Sequence, residues 1–526
     1  VVQEYIYHKG MYLREPEFKP ILRAKAIAFE NASGRDHAVL DELGNTVLYG
    51  HPDAQTILTR IQVENDSLLI LRNTVEGERP VGFASYREIG NDELYGVLKD
   101  MELANLVRGK SSREILLITG IYAREENTGD SEMIRDAAQQ LLVEVVAKEL
   151  EKNYSFALFV AERGTAAKHV VYALERQGFV RPHLADENDK RTIYLVDMHE
   201  PLMFLHNLET TIKEPFASNP AVLRAIEKNH KKLQIAMTKL YPGNLVLSLS
   251  SGVMHHRLVD RITSLNDVPR EPLVPRRLGK NMCVPFGKIL RGKVVPNTVT
   301  KTLHTDKVYE PDLESYTIEP FPYYSPLNSQ IETIRSFDRP VILVDDLVHK
   351  ADRLQVLVPK LRETGIPIKK VVVGVLSGYG RDLMQQLKVP VESIYSMPNV
   401  RQWFVESTLY PFIGGDTVRR EEMKVAGLQP SINMILPYAT PKLSGCSREA
   451  LVEFSACCIE NSRDLLQVLE AEYRKQYAKN LTLSRLSEAV ILPLCPDKGE
   501  CVSYDPNLAA SVYLENDLEM LYRTRK

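Results

Sequence analysis

Long apolar runs are missing from this sequence, and so is any surplus of charge. No stretch approaches the roughly 18 apolar residues of a membrane-crossing helix, which excludes an expectation of such a span. Lys and Arg number 66 against 69 Asp and Glu, a net charge of −3. A chain so balanced offers no basic field for nucleic acid, so no nucleic-acid partner is expected. Cysteine is sparse: Cys283, Cys446, Cys457, Cys458, Cys495 and Cys501 are the six among 526 residues. None shows the CxxC spacing of a structural zinc site. Cys495 and Cys501 are spaced for a clip, but reduced thiols are the expected state and the cytoplasm the expected compartment. No secretory leader is expected from the residues given, no low-complexity tract or internal repeat is seen, and there is a single tryptophan, Trp403. The first residue is Val, so the chain is expected to be a processed or excised piece of something longer.

What is present is an alternation of strands and helices on a scale of about three domains. Residues 1 to 54 read as an N-terminal extension. From 55 to 200, "SLLILRN" and "PVGFASYREI" read as adjacent strands and "REILLITGIYA" as a third. A long helix follows through "GDSEMIRDAAQQLLVEVVAKELEKN", then strand "SFALFVAERG", helix "TAAKHVVYALERQ", and strands "GFVRPH" and "TIYLVDM". A polar stretch near Glu200 marks a new organisation over 201 to 430. There a basic helix (219 to 240), strand "NLVLSLSSG" and helix "VMHHRLVDRITSL" lead into a basic, proline-rich span. "VILVDDLVHKADRL" then opens a run of strands that read as buried on both faces and alternate with helices, the pattern of a mainly parallel sheet. Residues 431 to 526 turn helical, with "SREALVEFSACCIENSRDLLQVLEAEYRKQYAKN" as one long amphipathic candidate.

Asp345 and Asp346 end a branched apolar strand, the edge of a parallel sheet at which ligands bind. Neighbouring carboxylates there accept hydrogen bonds from a vicinal diol or from water on a divalent cation. A plainer role is open too, with one aspartate capping the next helix and the other solvated. The order strand, DD, short loop, helix, "TGIPIKKVVVGVLSG", helix, strand resembles the type I phosphoribosyltransferases over roughly 215 to 420. The resemblance implies that Asp345 and Asp346 hold the ribose hydroxyls of phosphoribosyl pyrophosphate, with Mg2+. It implies that His349, Lys350, Ala351, Asp352 and Arg353 wrap the 5-phosphate, and that Ser250, Ser251 and Gly252 receive pyrophosphate. A mobile catalytic loop would fall on "GKILRGKVVPNTVTKTLHTDK", with Arg291, Lys293, Lys301 and His304 stabilising the leaving group. Trp403 would either cover a base or fill core. The phosphate loop "HKADR" has no glycine. Lys350 and Arg353 then stand in for backbone donors, or the pocket has lost tight phosphate binding.

The order strand, long helix, strand, helix and "GF" at Gly178–Phe179 is similar to the GNAT acyltransferase superfamily over about 55 to 198. That likeness implies a bound acetyl-CoA. Ile121 and Tyr122 would offer main-chain contacts, and Arg124, Asn127, Thr128 and Gly129 a pyrophosphate loop at a helix N-terminus. Glu125, Glu126 and Asp130 oppose that charge, and a plain helix cap at 128 to 130 needs no ligand. The general-acid tyrosine position is Leu174, which leaves Tyr172 as the candidate acid. His199, His206, His255 and His256 fit no metal spacing and read as packed contacts.

The fold class expected is therefore α/β: a GNAT-like mixed sheet, a phosphoribosyltransferase-like (Rossmann-like) parallel sheet and a helical C-terminal region. The whole also resembles the C-terminal part of large bacterial proteins labelled cytidylyltransferase-related, which carry a nucleotidyltransferase domain upstream. The implied function is a bifunctional transferase of nucleotide metabolism, with small-molecule nucleotide, sugar-phosphate and acyl-CoA ligands. A homo-oligomer is compatible with it. The alternatives are a non-catalytic sensor of nucleotide and CoA, and a scaffold that keeps both folds and neither ligand.

Overall fold

A computed structural model describes residues 27–74, 77–110, 114–123, 136–162, 167–182, 191–275, 277–322, 324–420, 423–498 and 503–523. Its first sheet begins with β1 (Ile27–Ser33), helices α1 (His37–Asn45) and α2 (Ala54–Glu64), β2 (Ser67–Asn73) and β3 (Arg79–Ile89). Helices α3 (Leu94–Leu98) and α4 (Met101–Lys110) follow, then β4 (Ile115–Ala123), α5 (Ala137–Glu149), β5 (Phe156–Glu162), α6 (Lys168–Arg176) and β6 (Arg191–His206). β1 pairs antiparallel with β2 along its whole length, so the sheet starts inside the segment expected to be an extension. The alternating apolar face of "IAFENAS" is too short to announce itself, but its pairing buries Ile27. "GFVRPH" contributes only an isolated bridge between Val180 and Leu195.

Strand β6 runs straight through the boundary expected at 200. Its first half pairs antiparallel with β5, and its second half pairs parallel with β7 (Asn244–Ser250) and β15 (Gln402–Val405). Between the two halves the register against β7 shifts from Asp197 to Leu202, which lets Pro201 sit where no ladder hydrogen bond is needed. The basic helix α7 (Pro220–Thr238) precedes β7, and α8 (Ser251–Leu265) follows it.

The second sheet holds β8 (Met282–Pro285), β9 (Val299–Thr300), β12 (Val341–Val348), β13 (Ile368–Ser377) and β14 (Val391–Met397), all parallel, in the spatial order β14-β13-β12-β8-β9. Helices α9 (Leu327–Arg335), α10 (Asp352–Glu363) and α11 (Gly378–Gln386) pack one face; α8 packs the other. A third sheet joins β10 (Thr305–Tyr309), β11 (Tyr316–Pro320), β16 (Asp416–Val418), β17 (Gln429–Ile432) and β18 (Leu494–Pro496). The boundary expected at 430 cuts β17. The tail holds α12 (Arg448–Tyr477) and α13 (Ala510–Arg523) but also gives β18 to the third sheet, so it is no separate helical unit.

One apolar core spans the first two sheets. Leu116, Ile118, Leu142 and Val146 share it with Val259, Ile262, Ile342, Val344 and Val375. Helices α5 and α8 form the layer between those sheets, and Glu144 on α5 pins them. It bonds Arg257 of α8 at 2.5 Å and accepts from the Tyr395 hydroxyl of β14 at 2.8 Å. No helix among the described residues is long and apolar enough to cross a membrane.

Candidate functional site

In chain order the strands of the second sheet lie 2-1-3-4-5, and such sheets bind ligands in the crevice where that order reverses, between first and third. Here those are β8 and β12. They separate after Val344 and Pro285, and the residues that follow are Asp345–Asp346 on one side and Phe286–Gly287–Lys288 on the other. Both aspartates are at least nine-tenths buried. Asp346 accepts from the amides of Lys288 at 2.6 Å and Ile289 at 2.9 Å, and Asp345 accepts from the amide of Asp346 at 2.8 Å. A Cβ on Gly287 would stand 2.5 Å from Asp346 Oδ1 and 2.7 Å from Asp345 Oδ1, so only glycine lets both carboxylates close over this turn. Asp346 thus caps a turn, though not that of the following helix, and neither aspartate is solvated.

Cations crowd the pair. Arg353 lies 3.9 Å from Asp345. Burial pushes the Asp345 carboxyl up to about 7, Arg353 pulls it back, and the charge of Asp346 raises it again. Lys293 is half-buried, and burial lowers its ammonium although Asp346 and Glu209 both favour the charged form. Lys288 is lowered by burial in the same way, with Asp416 and Asp306 of the third sheet opposing. From that sheet Lys307 reaches Asp352 at 3.0 Å, which closes the third sheet against the start of α10. Arg291 lies over the Phe321 ring at 4.2 Å.

The expected phosphate loop is the turn from β12 into α10. His349 Nδ1 meets Ser377 Oγ at 2.9 Å, and burial lowers its pKa. Lys350 is exposed. Ala351 takes φ 53°, the left-handed conformation usually given to glycine, so the missing glycine is replaced in geometry though not in openness. Other expectations move. Ser250, Ser251 and Gly252 end β7 and begin α8, but β7 belongs to the first sheet; the turn beside the aspartates is 286 to 289. The span expected to be a mobile loop contains β9, and Lys301 donates its amide to Cys283 O at 3.0 Å, below the crevice. His304 stacks on Tyr324 at 3.8 Å, with its amide on Gln330. Trp403 lies on β15 opposite Met203 and packs on the shared core, which is the core-filling role.

In the first sheet, β4 pairs with β5 only at Leu116–Ile118 against Ala157–Phe159, although both strands continue. Beyond that point they part. The register of β4 against β3 passes from Ile118 opposite Tyr86 to Gly120 opposite Ser85, which makes Thr119 a bulge at the opening. Ile121 and Tyr122 lie just past it, their peptide groups on the β5 side without a partner strand among the described residues. Arg124, Asn127, Thr128 and Gly129 lie outside the described residues. Leu174 is fully buried. Tyr172 faces elsewhere than expected: it lines a cleft of about 860 Å³ with Lys228, Lys232 and Lys239 of α7 and Glu453 of α12, and no residue of β4 or β5 borders that cleft.

Sequence reasoning missed Gly287, Lys288 and Lys307, because β8 has four residues and the third sheet is built from strands of similar brevity. It also missed a cluster at the carboxyl ends of β6 and β15, where His206, His230 and Glu406 converge. No local spacing signals that meeting.

No family model and no curated protein matches the chain. Among solved structures it is similar to one titled as the NatC complex bound to Gag peptide and CoA (12% identity, 32% of this chain, 97% of that chain, TM-score 0.22). It is similar also to FeeM, an N-acyl amino acid synthase from uncultured soil microbes (16%, 33% and 91%, TM-score 0.24), and to Arabidopsis thaliana NAA60 in complex with acetyl-CoA (11%, 32% and 98%, TM-score 0.24). These likenesses span about a third of the chain, and at such TM-scores its own strand geometry has to bear the functional reading.

Proposed function

We propose that the chain is an acyl-CoA-binding transferase of GNAT type. The observation that carries this reading is the parting of β4 and β5 at the Thr119 bulge. Two parallel strands that diverge leave peptide donors and acceptors facing a wedge, and an extended, amide-containing chain such as the pantetheine arm of CoA satisfies them as a strand would. The main chain of Ile121 and Tyr122 would line that wedge. The acyl group would enter it, and transfer to an amine or other nucleophile would follow. Tyr172, turned into the α7 cleft, is not the acid in this reading. The test is calorimetry with acetyl-CoA and with CoA. One site per chain for each supports the reading; no heat and no thermal shift at millimolar ligand refutes it.

A second reading is favoured by a separate observation, the aspartate pair at the switch point of the parallel sheet. In it the crevice binds a phosphoribosyl pyrophosphate-like sugar phosphate. Asp345 would take ribose hydroxyls or share Mg2+, and Lys288, Arg291, Lys293 and Arg353 would receive anionic oxygens. The carboxylates do not stand open to such a ligand: Asp346 accepts from the Lys288 and Ile289 amides and both residues are at least nine-tenths buried, so binding would have to displace the 286 to 289 turn. Transfer would then rest on positioning and on cations at the departing pyrophosphate. Calorimetry with phosphoribosyl pyrophosphate and Mg2+ on the wild type and on Asp345→Asn tests it. Equal heats from both proteins would remove the aspartate from the site. Binding without pyrophosphate release over a panel of bases would make the crevice a sensor.

A further inference from the structure

Strand β6 ends at His206, α7 carries His230 on its inner face, and Glu406 follows β15 directly. These three elements meet because β15 and β6 pair parallel and α7 lies over β7 beside them. One side-chain ligand atom from each residue lies within 4.8 Å of the other two. His230 Nε2 is 2.7 Å from Glu406 Oε2, and His206 Nδ1 is 3.5 Å from the same oxygen. Glu209 Oε1 stands 3.8 Å from His230 Nε2. Glu406 is fully buried, and its Oε2 and His206 Nδ1 form no well-angled hydrogen bond among the described residues.

We propose that His206, His230 and Glu406 bind a divalent first-row metal ion such as Zn2+, with Glu209 or a water as a further ligand. Two imidazoles and one carboxylate are the donor set of catalytic zinc sites and of the facial triad of non-haem iron. Ligand atoms about 2.1 Å from a tetrahedral zinc stand about 3.4 Å apart, so the ion requires His230 and Glu406 to part by less than about 1 Å. A buried Glu–His ion pair alone gives no reason for a second imidazole, with ring centroids only 4.3 Å apart.

The surrounding groups hold the three side chains in place. Tyr410 donates its hydroxyl to Glu406 Oε1 at 3.3 Å. Gln234 Nε2 lies 2.9 Å from His206 Nε2, while Gln234 Oε1 is buried with no hydrogen-bond partner among the described residues. Turning that amide over lets Oε1 accept from His206 Nε2–H and leaves the Nδ1 lone pair for the metal. The inference does not depend on either functional reading above.

The test uses the full chain, stripped with a chelator and titrated with Zn2+ and then Co2+. The wild type should take up one ion and show the visible ligand-field bands of nitrogen-ligated Co2+. Gln234→Leu should weaken Zn2+ by about 10- to 100-fold, and His230→Ala by more, with the Co2+ bands lost. Circular dichroism verifies that each variant is folded. If His230→Ala fails to fold, wild-type stoichiometry and its Co2+ spectrum decide. No stoichiometric uptake by the wild type, or unchanged affinity in folded His230→Ala, overturns the proposal and leaves a buried ion pair.

Discussion

Replacing Asp345 by Asn should make the protein more stable above neutral pH. Asp345 is buried at the end of β12 with Asp346 beside it, and its only cation within salt-bridge reach among the described residues is Arg353 at 3.9 Å. Burial, offset in part by Arg353 and reinforced by Asp346, moves its carboxyl from 3.8 to about 7. The folded chain therefore holds this proton more tightly than the unfolded one. The stabilising contribution is fully present below about pH 4 and is lost as pH rises through about 7. Such a rise is linked to about 4 kcal/mol, an upper bound that the weakened Arg353 contact reduces in the variant. The asparagine keeps an oxygen to accept from the Asp346 amide and cannot ionise. Urea unfolding followed by Trp403 fluorescence, between about pH 4 and pH 8, reads the difference. Wild type and variant should be alike near pH 4 and diverge towards pH 8, with the variant ahead by about 2–4 kcal/mol. A variant that is less stable at pH 8, or a difference that ignores pH, would refute the reasoning. The gain would also mark Asp345 as a position held for ligand at the expense of stability.

Three further outcomes follow from named contacts. Glu144→Ala leaves Arg257 without its 2.5 Å carboxylate partner between the first two sheets, and should cost about 3–5 kcal/mol by denaturant unfolding. Gly287→Ala drives a methyl to within 2.8 Å of both aspartate side chains; about 1–3 kcal/mol of stability and the sugar-phosphate heat should be lost together. Tyr172→Phe should leave any acyl transfer within about twofold, since a general acid would cost about 100-fold or more. A loss of that larger size in steady-state kinetics would return Tyr172 to the chemistry.

The sequence was most legible where one residue pattern dominates an element. The branched apolar run before Asp345 and the amphipathic period of the 30-residue α12 are both found where the sequence puts them. β6 was legible only by half, because Glu200–Pro201 reads as a break, whereas the register shift absorbs the proline and the strand continues. β8 was invisible: four residues ending in Pro285 form a strand only because β12 and β9 flank them. With β8 hidden, the resemblance puts the pyrophosphate turn at Ser250–Gly252 by its place and order in the chain, at the end of a strand that belongs to the first sheet. Domain boundaries failed for a related reason. Composition changes near 200 and 430, but β6 and β17 pair across those points, and pairing is a long-range property that local composition does not encode. The convergence of His206, His230 and Glu406 is hidden in the same way.

The acyl-CoA assignment depends on whether the gap between β4 and β5 receives a ligand. Hydrogen–deuterium exchange with and without saturating acetyl-CoA measures this peptide by peptide. Protection of 119 to 123 and of the end of β5, with the α7 cleft unchanged, is the predicted result. Unaltered exchange in β4 and β5 at saturating ligand would contradict it.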